Sequence, residues 1–232
     1  MTVRAFPSDW HSAVVFMPHP DDPEYGMSAA VAKWTSAGRT VRYVFACRGE
    51  AGIEGMAPDE TARVREAEQR RAAAIVGVHD VDFWDVPDSN IRDTAELRAR
   101  IAGTITALKP DVVVTIYGGP QWAPEAPNQR DHMEFSAATL AAYDQLSDPP
   151  RWLFSSGPGG TYLESVDGFV DVAIESLAAH DKYLSVIDPE TPVIEQARRQ
   201  VGRVTPARPD FGGHRVVEFI LERSTGSTAA GG

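Results

Sequence analysis

The sequence predicts an α/β fold in which helices cover both faces of a mostly parallel sheet, giving three layers. Short apolar segments rich in β-branched residues alternate with helical segments of roughly 12–18 residues, which is the pattern of repeated βαβ units. The predicted strands are continuous apolar runs, as expected for parallel strands buried on both sides. We expect a single domain over residues 1–224 and a flexible, small-residue tail at 225–232.

The strands are predicted from apolar runs bounded by glycine, proline or polar turns. In chain order they lie at 12–17, 41–46, 81–84, 112–117 and 152–155, with looser patterns at 169–172 and 214–221. The run at 112–117 has the highest content of β-branched residues, which favour strands.

The helices are predicted from the segments between these strands. They lie at 25–37, 59–76, 93–109, 132–146, 173–186 and 189–201. Gly38 and Gly77 end the first two helices in the manner of a glycine that follows the C-cap. Asp93 and Glu96 have the spacing of a capping box, and Pro110 ends the third helix.

The acidic balance of the chain argues against two classes of partner. It contains 22 Lys and Arg residues against 33 Asp and Glu residues, a formal net charge of −11. We therefore expect neither a nucleic-acid partner nor an anionic membrane partner. No apolar run approaches the roughly 20 residues that span a bilayer, and residues 1–12 lack the features of a signal peptide. The single cysteine, Cys47, excludes an internal disulfide, and a cytoplasmic protein fits these observations.

A polar segment follows the first predicted strand and carries residue types that bind metals. It reads Pro18-His19-Pro20-Asp21-Asp22, and its prolines restrict φ and remove backbone donors. Such a stiff backbone suits side chains that must be held at set angles, and His19 and Asp22 are both ligand types for first-row metals. Taken alone, the same segment is better explained as a turn in which an aspartate caps the next helix.

A second cluster, Asp131-His132, directly precedes a predicted helix after the fourth strand. In an open α/β sheet, the loops that follow parallel strands gather along one edge, where ligands bind. His19, Asp22 and His132 would then form a three-ligand metal site with a position left for water, the arrangement of catalytic zinc. A lone histidine at a helix start is more often a capping or surface residue, so the hypothesis depends on both clusters together.

At these two motifs the chain resembles the PIG-L/LmbE-like family of metal-dependent N-deacetylases, and the resemblance runs in register over residues 14–142. It implies a Rossmann-like fold and a small-molecule substrate of the N-acetylglucosamine type. It also implies that His19, Asp22 and His132 bind Zn²⁺, for which Fe²⁺ or Co²⁺ could substitute. Asp21 would be the general base, and Asp131 would support the centre without binding the metal.

The chain departs from the family pattern at one position. Many members carry a histidine three residues before the metal-binding histidine, where this chain has Gln129. Glutamine can donate a hydrogen bond but cannot carry a positive charge or act as an acid. The residue that stabilises the oxyanion is therefore left open among Gln129, Tyr117 and His180.

Four further residues are candidates for binding substrate. Arg65 matches a helix position from which relatives reach the sugar, although it could simply pair with Glu68 on an exposed helix face. Glu50 and Asp88 lie in loops after strands, where a solvated carboxylate or an Asx turn is the alternative. Trp122 could stack on a sugar or only anchor its loop.

The leading hypothesis is a zinc-dependent N-deacetylase of an N-acetylglucosamine-type glycoside. One alternative is an amidase that removes a larger acyl group from a mycothiol-like conjugate, and another is a non-catalytic sugar- or metal-binding module. A nucleotide-binding domain is disfavoured because no G-x-G-x-x-G follows the first strand. The sequence is also compatible with a homo-oligomer.

Overall fold

The computed structural model describes residues 2–225. Its strands are β1 (Arg4–Ala5), β2 (Ser12–Met17), β3 (Thr40–Phe45), β4 (Asp80–Phe83), β5 (Val112–Ile116), β6 (Gln121–Ala123), β7 (Ala126–Pro127), β8 (Trp152–Ser156), β9 (Tyr162–Ser165) and β10 (Val216–Ser224). Its α-helices are α1 (Asp22–Gly26), α2 (Ser28–Ser36), α3 (Pro58–Ile75), α4 (Ala95–Leu108), α5 (Arg130–Asp144), α6 (Val170–Ala178), α7 (Asp181–Ile187) and α8 (Val193–Val204). A 3₁₀ turn covers Pro209–Phe211.

Within the described residues, the main sheet has the strand order β1-β9-β10-β8-β5-β2-β3-β4. The five strands from β8 to β4 are parallel, whereas β10 runs antiparallel to both β8 and β9. Helices α4 and α5 pack together on one face, and α6 packs with α2, α3 and α8 on the other. The three-layer, mostly parallel α/β fold predicted from the sequence is therefore confirmed.

The order of the parallel strands determines where a ligand can bind. The chain moves outward from β2 through β3 to β4 and then returns to place β5 on the other side of β2. Loops after β2 and β5 consequently diverge to opposite sides and leave a crevice at the carboxyl edge of the sheet. The central strands are fully buried, including Phe16 and Val113, so they provide a rigid base for that crevice.

Several predicted elements differ from the structure. The helix expected at 25–37 is two helices separated at Met27, because Asp22 and Pro23 already start α1. The run at 169–172 belongs to a helix and not to a strand, since a short apolar run cannot be assigned by periodicity alone. Helix α4 is capped by Thr94, whose hydroxyl accepts from the Leu97 amide, and not by Asp93, which pairs with Arg98.

The short outer strands β1 and β9 were not predicted, and a buried carboxylate attaches β9 to the helical layer. Glu164 in β9 is buried, and its Oε2 accepts a hydrogen bond of 2.8 Å from Trp34 Nε1. Its Oε1 lies 2.5 Å from Lys33 Nζ. Both partners belong to α2, so this one side chain joins the helix to the antiparallel part of the sheet.

No helix in the described range is long and apolar enough to cross a membrane. Apart from Thr225, the tail expected at 225–232 lies outside the described residues.

We expect Glu164→Ala to lower the free energy of unfolding by about 1–3 kcal/mol, because the buried Trp34 Nε1 would lose its acceptor and Lys33 would lose its ion pair, keeping only the Ser165 carbonyl. Urea denaturation followed by tryptophan fluorescence measures this loss. Glu190→Ala, at an exposed position, is the matched control and should change stability by less than about 0.5 kcal/mol. Equal effects of the two substitutions would contradict the role given to Glu164.

Candidate metal centre and its cavity

The segment after β2 turns sharply and starts a helix, which places its side chains in the crevice. Asp21 adopts a positive φ of 96°, a left-handed conformation that aspartate tolerates better than most residues. Asp22 is the first residue of α1, and its Oδ2 accepts a hydrogen bond of 2.8 Å from the backbone N–H of His19. This bond closes the turn and sets the direction of the Asp22 carboxylate.

Three ligand-type side chains converge at the carboxyl edge of β2 and β5. Asp22 Oδ2 lies 3.5 Å from His19 Nδ1, and Asp22 Oδ1 lies 3.3 Å from His132 Nε2. One ligand atom from each residue lies within 4.8 Å of the other two, and all three residues are buried. This geometry would allow the three side chains to share one ion.

The hydrogen bonds of the two imidazoles support such a site. His132 Nδ1 lies 2.9 Å from Asn128 Oδ1, which makes Nδ1 the protonated nitrogen and leaves a lone pair on Nε2. That Nε2 is buried and has no hydrogen-bond partner among the described residues, although it faces Asp22. A buried nitrogen with a free lone pair, next to a carboxylate, can bind a metal ion together with that carboxylate.

His19 uses its two ring nitrogens the other way round from His132. Its Nε2 lies 3.4 Å from both Asp131 Oδ2 and Asp88 Oδ1, so Nε2–H can donate to a carboxylate. The lone pair then remains on Nδ1, which faces Asp22. A carboxylate behind a ligating histidine is a common device for orienting the ring and raising its basicity. The residues present therefore fit a divalent cation.

His19, Cys47 and Asp88 form a second group of ligand-type side chains, which shares His19 with the first. Burial raises the pKa of the Cys47 thiol to about 12, and the thiol donates to the carbonyl of Pro18. The Cys47 sulfur also accepts from the Gly49 amide, so its hydrogen-bonding capacity is already used by the backbone, in contrast to the unpaired Nε2 of His132. The His19–Asp22–His132 group is accordingly the stronger candidate.

The Asp21 carboxylate lines the cavity beside this group and contacts Arg65. Its Oδ1 lies 3.2 Å from Arg65 Nη2, and its backbone N–H donates to Gln69 Oε1 at 2.6 Å. Arg65 is itself fixed by a bond to the Pro20 carbonyl and by the ring of Tyr183, 3.6 Å from its guanidinium carbon. Asp21 is thus a carboxylate beside the candidate metal site that does not belong to the ligand group.

Burial and neighbouring charges together shift the pKa values of Asp21 and Asp22 in opposite directions. Burial raises the pKa of Asp21 to about 6, and the charge of Arg65 only partly offsets this. Burial would also raise the pKa of Asp22, but the imidazoles of His132 and His19 outweigh it and lower that pKa below its usual range. The two adjacent carboxylates therefore differ strongly in basicity.

A cavity of about 830 Å³ opens beside the centre, in the upper part of the range of about 300–1,000 Å³ typical of ligand pockets. Of the residues predicted to contact substrate or the oxyanion, Arg65, Asp88, Trp122 and Gln129 line it. Glu50 does not, because its carboxylate accepts from the backbone of Asp88. Trp122 belongs to the β6–β7 hairpin and packs edge-on against His132, with ring centroids 6.0 Å apart.

Two of the predicted oxyanion residues lie away from the cavity wall. His180 is fully buried, its Nε2 lies 3.4 Å from Glu24 Oε2, and burial lowers its pKa to about 4. Tyr117 packs against Trp122 instead, with centroids 5.2 Å apart. Gln129 is the one of the three that lines the cavity.

Sequence reasoning missed three residues that organise the site. Asn128 orients His132, Gln69 binds the Asp21 amide, and Tyr183 covers Arg65. Asn128 lies four positions before His132, and this spacing was the only local signal available. Gln69 and Tyr183 carry no such signal, because they reach the site from helices far away in the sequence.

The fold and the site together define a Rossmann-like α/β protein with a candidate His-Asp-His metal centre at the edge of its parallel sheet. The chain belongs to the PIG-L family, described as GlcNAc-PI de-N-acetylase, which matches residues 14–143.

Curated relatives give further comparisons. Over 214 residues the chain is 27% identical to a 1D-myo-inositol 2-acetamido-2-deoxy-α-D-glucopyranoside deacetylase of Kineococcus radiotolerans, covering 78% of this chain and 53% of the relative. It is 31% identical to a probable N-acetyl-α-D-glucosaminyl L-malate deacetylase 2 of Bacillus anthracis, covering 47% and 51% respectively. The chain spans about half the length of the curated relatives it matches.

Solved structures show the same fold. The N,N′-diacetylchitobiose deacetylase from Pyrococcus horikoshii superimposes with a TM-score of 0.80 at 18% identity, covering 92% of this chain and 84% of that one. GalB, the 4-carboxy-2-hydroxymuconate hydratase of Pseudomonas putida KT2440, superimposes with a TM-score of 0.66 at 19% identity, covering 94% and 100%. Because one fold carries both activities, it does not assign a reaction by itself.

We expect Asn128→Ala to weaken zinc binding by about 10- to 100-fold, because His132 would lose the acceptor that fixes its tautomer. Competition with a chromogenic chelator measures the affinity. Asn128→Asp keeps the acceptor oxygen and should retain most of it, and the exposed Asn90→Ala is the control. If Asn128→Asp lost as much affinity as Asn128→Ala, the loop and not the imidazole would be the cause.

Proposed function

We propose that the chain is a zinc-dependent hydrolase that removes the N-acetyl group from an N-acetylglucosamine-type glycoside. The observation that carries this proposal is the buried His19–Asp22–His132 group, with the separate carboxylate of Asp21 beside it on the wall of a sugar-sized cavity. Membership of the PIG-L family supports the same reaction, as do the relatives, which are named as deacetylases of N-acetylglucosaminyl compounds.

The residues divide the work of amide hydrolysis between them. A zinc ion held by His19, Asp22 and His132 would polarise the acetamide carbonyl and lower the pKa of water to about 7. Asp21 accepts the proton of the attacking water and later returns it to the leaving amine. Arg65 holds Asp21 in position through its contact of 3.2 Å and keeps the carboxylate from turning toward the ligand group.

Gln129 is proposed to donate to the oxygen of the acetamide as negative charge develops there. It lines the cavity directly before α5, and His132 follows one turn later in the same helix. A neutral amide donor stabilises an oxyanion without delivering a proton. Asp21 would therefore be the only group in this set that moves protons.

The size of the cavity keeps the larger-acyl amidase as a second candidate, since about 830 Å³ exceeds what an acetyl group requires. Comparing the rates of acetyl, propionyl and bulkier amides of one glucosaminide separates the two activities. A deacetylase should favour the acetyl compound, whereas an amidase of conjugates should not.

We expect Asp21→Asn to reduce kcat/KM for acetate release by about 10²- to 10⁴-fold, because the proton acceptor is lost. Asparagine tolerates the positive φ at this position, so the backbone should be unaffected. Zinc stoichiometry should remain unchanged, since Asp21 lies outside the ligand group. Acetate release from a panel of N-acetylglucosaminides, together with metal analysis, provides the measurement.

Asp85→Asn is the matched control, because it removes an exposed carboxylate from a neighbouring loop and should leave the rate unchanged. Chelation should abolish acetate release from the wild-type protein, and added zinc should restore it. An Asp21→Asn variant with full activity would exclude the assigned base. A zinc-loaded wild-type protein that releases no acetate would favour the non-catalytic binding module.

A further inference from the structure

Helix α3 turns a polar face toward the interior of the protein. Thr61, Arg65, Glu68 and Gln69 share one face of the helix, and each is at most 2% exposed. An amphipathic helix normally buries apolar side chains at such positions, because a buried polar or charged group costs folding free energy unless it is paired. Arg65 and Gln69 both contact Asp21 in the candidate site. Glu68 is the charged member of this face that does not line the cavity.

Among the described residues Glu68 forms no ion pair with Arg65, although the two lie one turn apart on α3. Glu68 Oε1 instead accepts a hydrogen bond of 2.6 Å from the backbone N–H of Lys182, in the first turn of α7. That helix needs an acceptor there, because its own N-cap residue, His180, makes no side-chain capping bond in the described structure. A carboxylate also matches the positive end of the helix dipole. Glu68 is therefore a cap of α7 that another helix supplies.

Helix α7 has seven residues, and other helices hold both of its ends. At its N-terminal end, Arg71 of α3 adds a contact of 3.1 Å to Asp181. At its C-terminal end, Gln196 of α8 donates to the backbone carbonyls of Leu184 and Asp188. A helix this short is not stable alone in water. The position of α7 therefore depends on these contacts and on the cap from Glu68.

Helix α7 places Tyr183 against the guanidinium of Arg65. The centroid of the Tyr183 ring lies 3.6 Å from Arg65 Cζ, a close cation–π contact. The loop after β3 packs on the same guanidinium, so closely that a Cβ on Gly52 would overlap Nη1. Arg65 therefore has little freedom to move while Tyr183 is in place, and its Nη2 stays 3.2 Å from Asp21 Oδ1.

We propose that Glu68 is a positioning residue for the general base. Glu68 fixes the start of α7, and α7 places Tyr183 on Arg65. Arg65 in turn directs the carboxylate of Asp21. The inference rests on the proposed function, which makes Asp21 the base. Glu68 does not line the cavity, so it acts through these contacts and does not touch the substrate.

The test compares substitutions that remove the cap with one that keeps it. Glu68→Ala removes the acceptor of the Lys182 amide, whereas Glu68→Gln keeps an acceptor oxygen on a side chain of the same length. Glu60→Ala, at an exposed position of the same helix, is the matched control. Acetate release from N-acetylglucosaminides is measured with the zinc-loaded whole chain, together with zinc stoichiometry and the midpoint of urea unfolding.

We expect Glu68→Ala to lower kcat by about 10- to 100-fold through misplacement of the base, with KM changed less than about twofold and zinc stoichiometry unchanged. Glu68→Gln should retain most of the rate, and Glu60→Ala all of it. In an Asp21→Asn background, Glu68→Ala should cost no further rate, because residues that act through one group are not additive. Tyr183→Leu should give the same loss of kcat and the same non-additivity, and it carries the test if Glu68→Ala does not fold.

A second measurement does not depend on turnover. Because the Arg65 guanidinium lies over the face of the Tyr183 ring, the ring current should shift the Arg65 Nε–H signal upfield in a proton–nitrogen correlation spectrum. Glu68→Ala and Tyr183→Leu should abolish this shift, and Glu68→Gln should retain it. The signal is assigned by its disappearance in Arg65→Lys.

An Arg65 signal that is unchanged in Glu68→Ala would overturn the inference, as would a further loss of rate in the Asp21→Asn background. Equal losses of kcat in Glu68→Gln and Glu68→Ala would also contradict it. The two measurements separate this inference from the proposed function. Acetate release that Glu68→Ala leaves unaffected keeps the deacetylase and removes the positioning role. A wild-type protein that releases no acetate removes the proposed function, and the Arg65 signal then decides whether Glu68 holds Tyr183 in place.

Discussion

The carboxylate of Asp22 is the group on which the candidate centre depends. It accepts the backbone N–H of His19 at 2.8 Å, which closes the turn after β2, and it lies within 3.5 Å of both imidazoles. Because Asp22 also starts α1, the helix fixes its backbone, and the hydrogen bond to the His19 amide fixes its carboxylate. The same residue thus closes the turn after β2, starts α1 and places a carboxylate between the two histidines.

Around this carboxylate, the protein buries more charge than an ordinary core would allow. Asp21 pairs with Arg65, and behind them Glu24 lies with Gln69 and His180 in a region closed to solvent. Burial raises the pKa of Glu24 to about 8 and lowers that of His180 to about 4, so both tend toward their neutral forms. Such groups cost folding free energy, and they concentrate where a site needs fixed geometry and tuned basicity.

Local patterns were sufficient for most of the architecture. The alternation of apolar runs and helices predicted the parallel sheet because strand burial and helix periodicity are encoded within a few residues. The same locality explains the errors. β9 contains a buried glutamate that pairs with α2, so its sequence does not read as an apolar strand.

The sequence by itself determined the fold class, the proline-restricted turn from Pro18 to Asp22, and the residue types available as ligands. Only the tertiary structure decided which of them meet. His19 and Asp131 are 112 positions apart and come within 3.4 Å because β2 and β5 are neighbours in the sheet. Arg65 in α3 contacts Asp21 instead of forming a solvated helix-face pair, and Asp88, in the loop after β4, lies 3.4 Å from His19. These two contacts come from the other side of β2, where β3 and β4 follow it in the sheet. Contacts between distant segments depend on strand order and loop packing, and no local pattern in the chain records either of them.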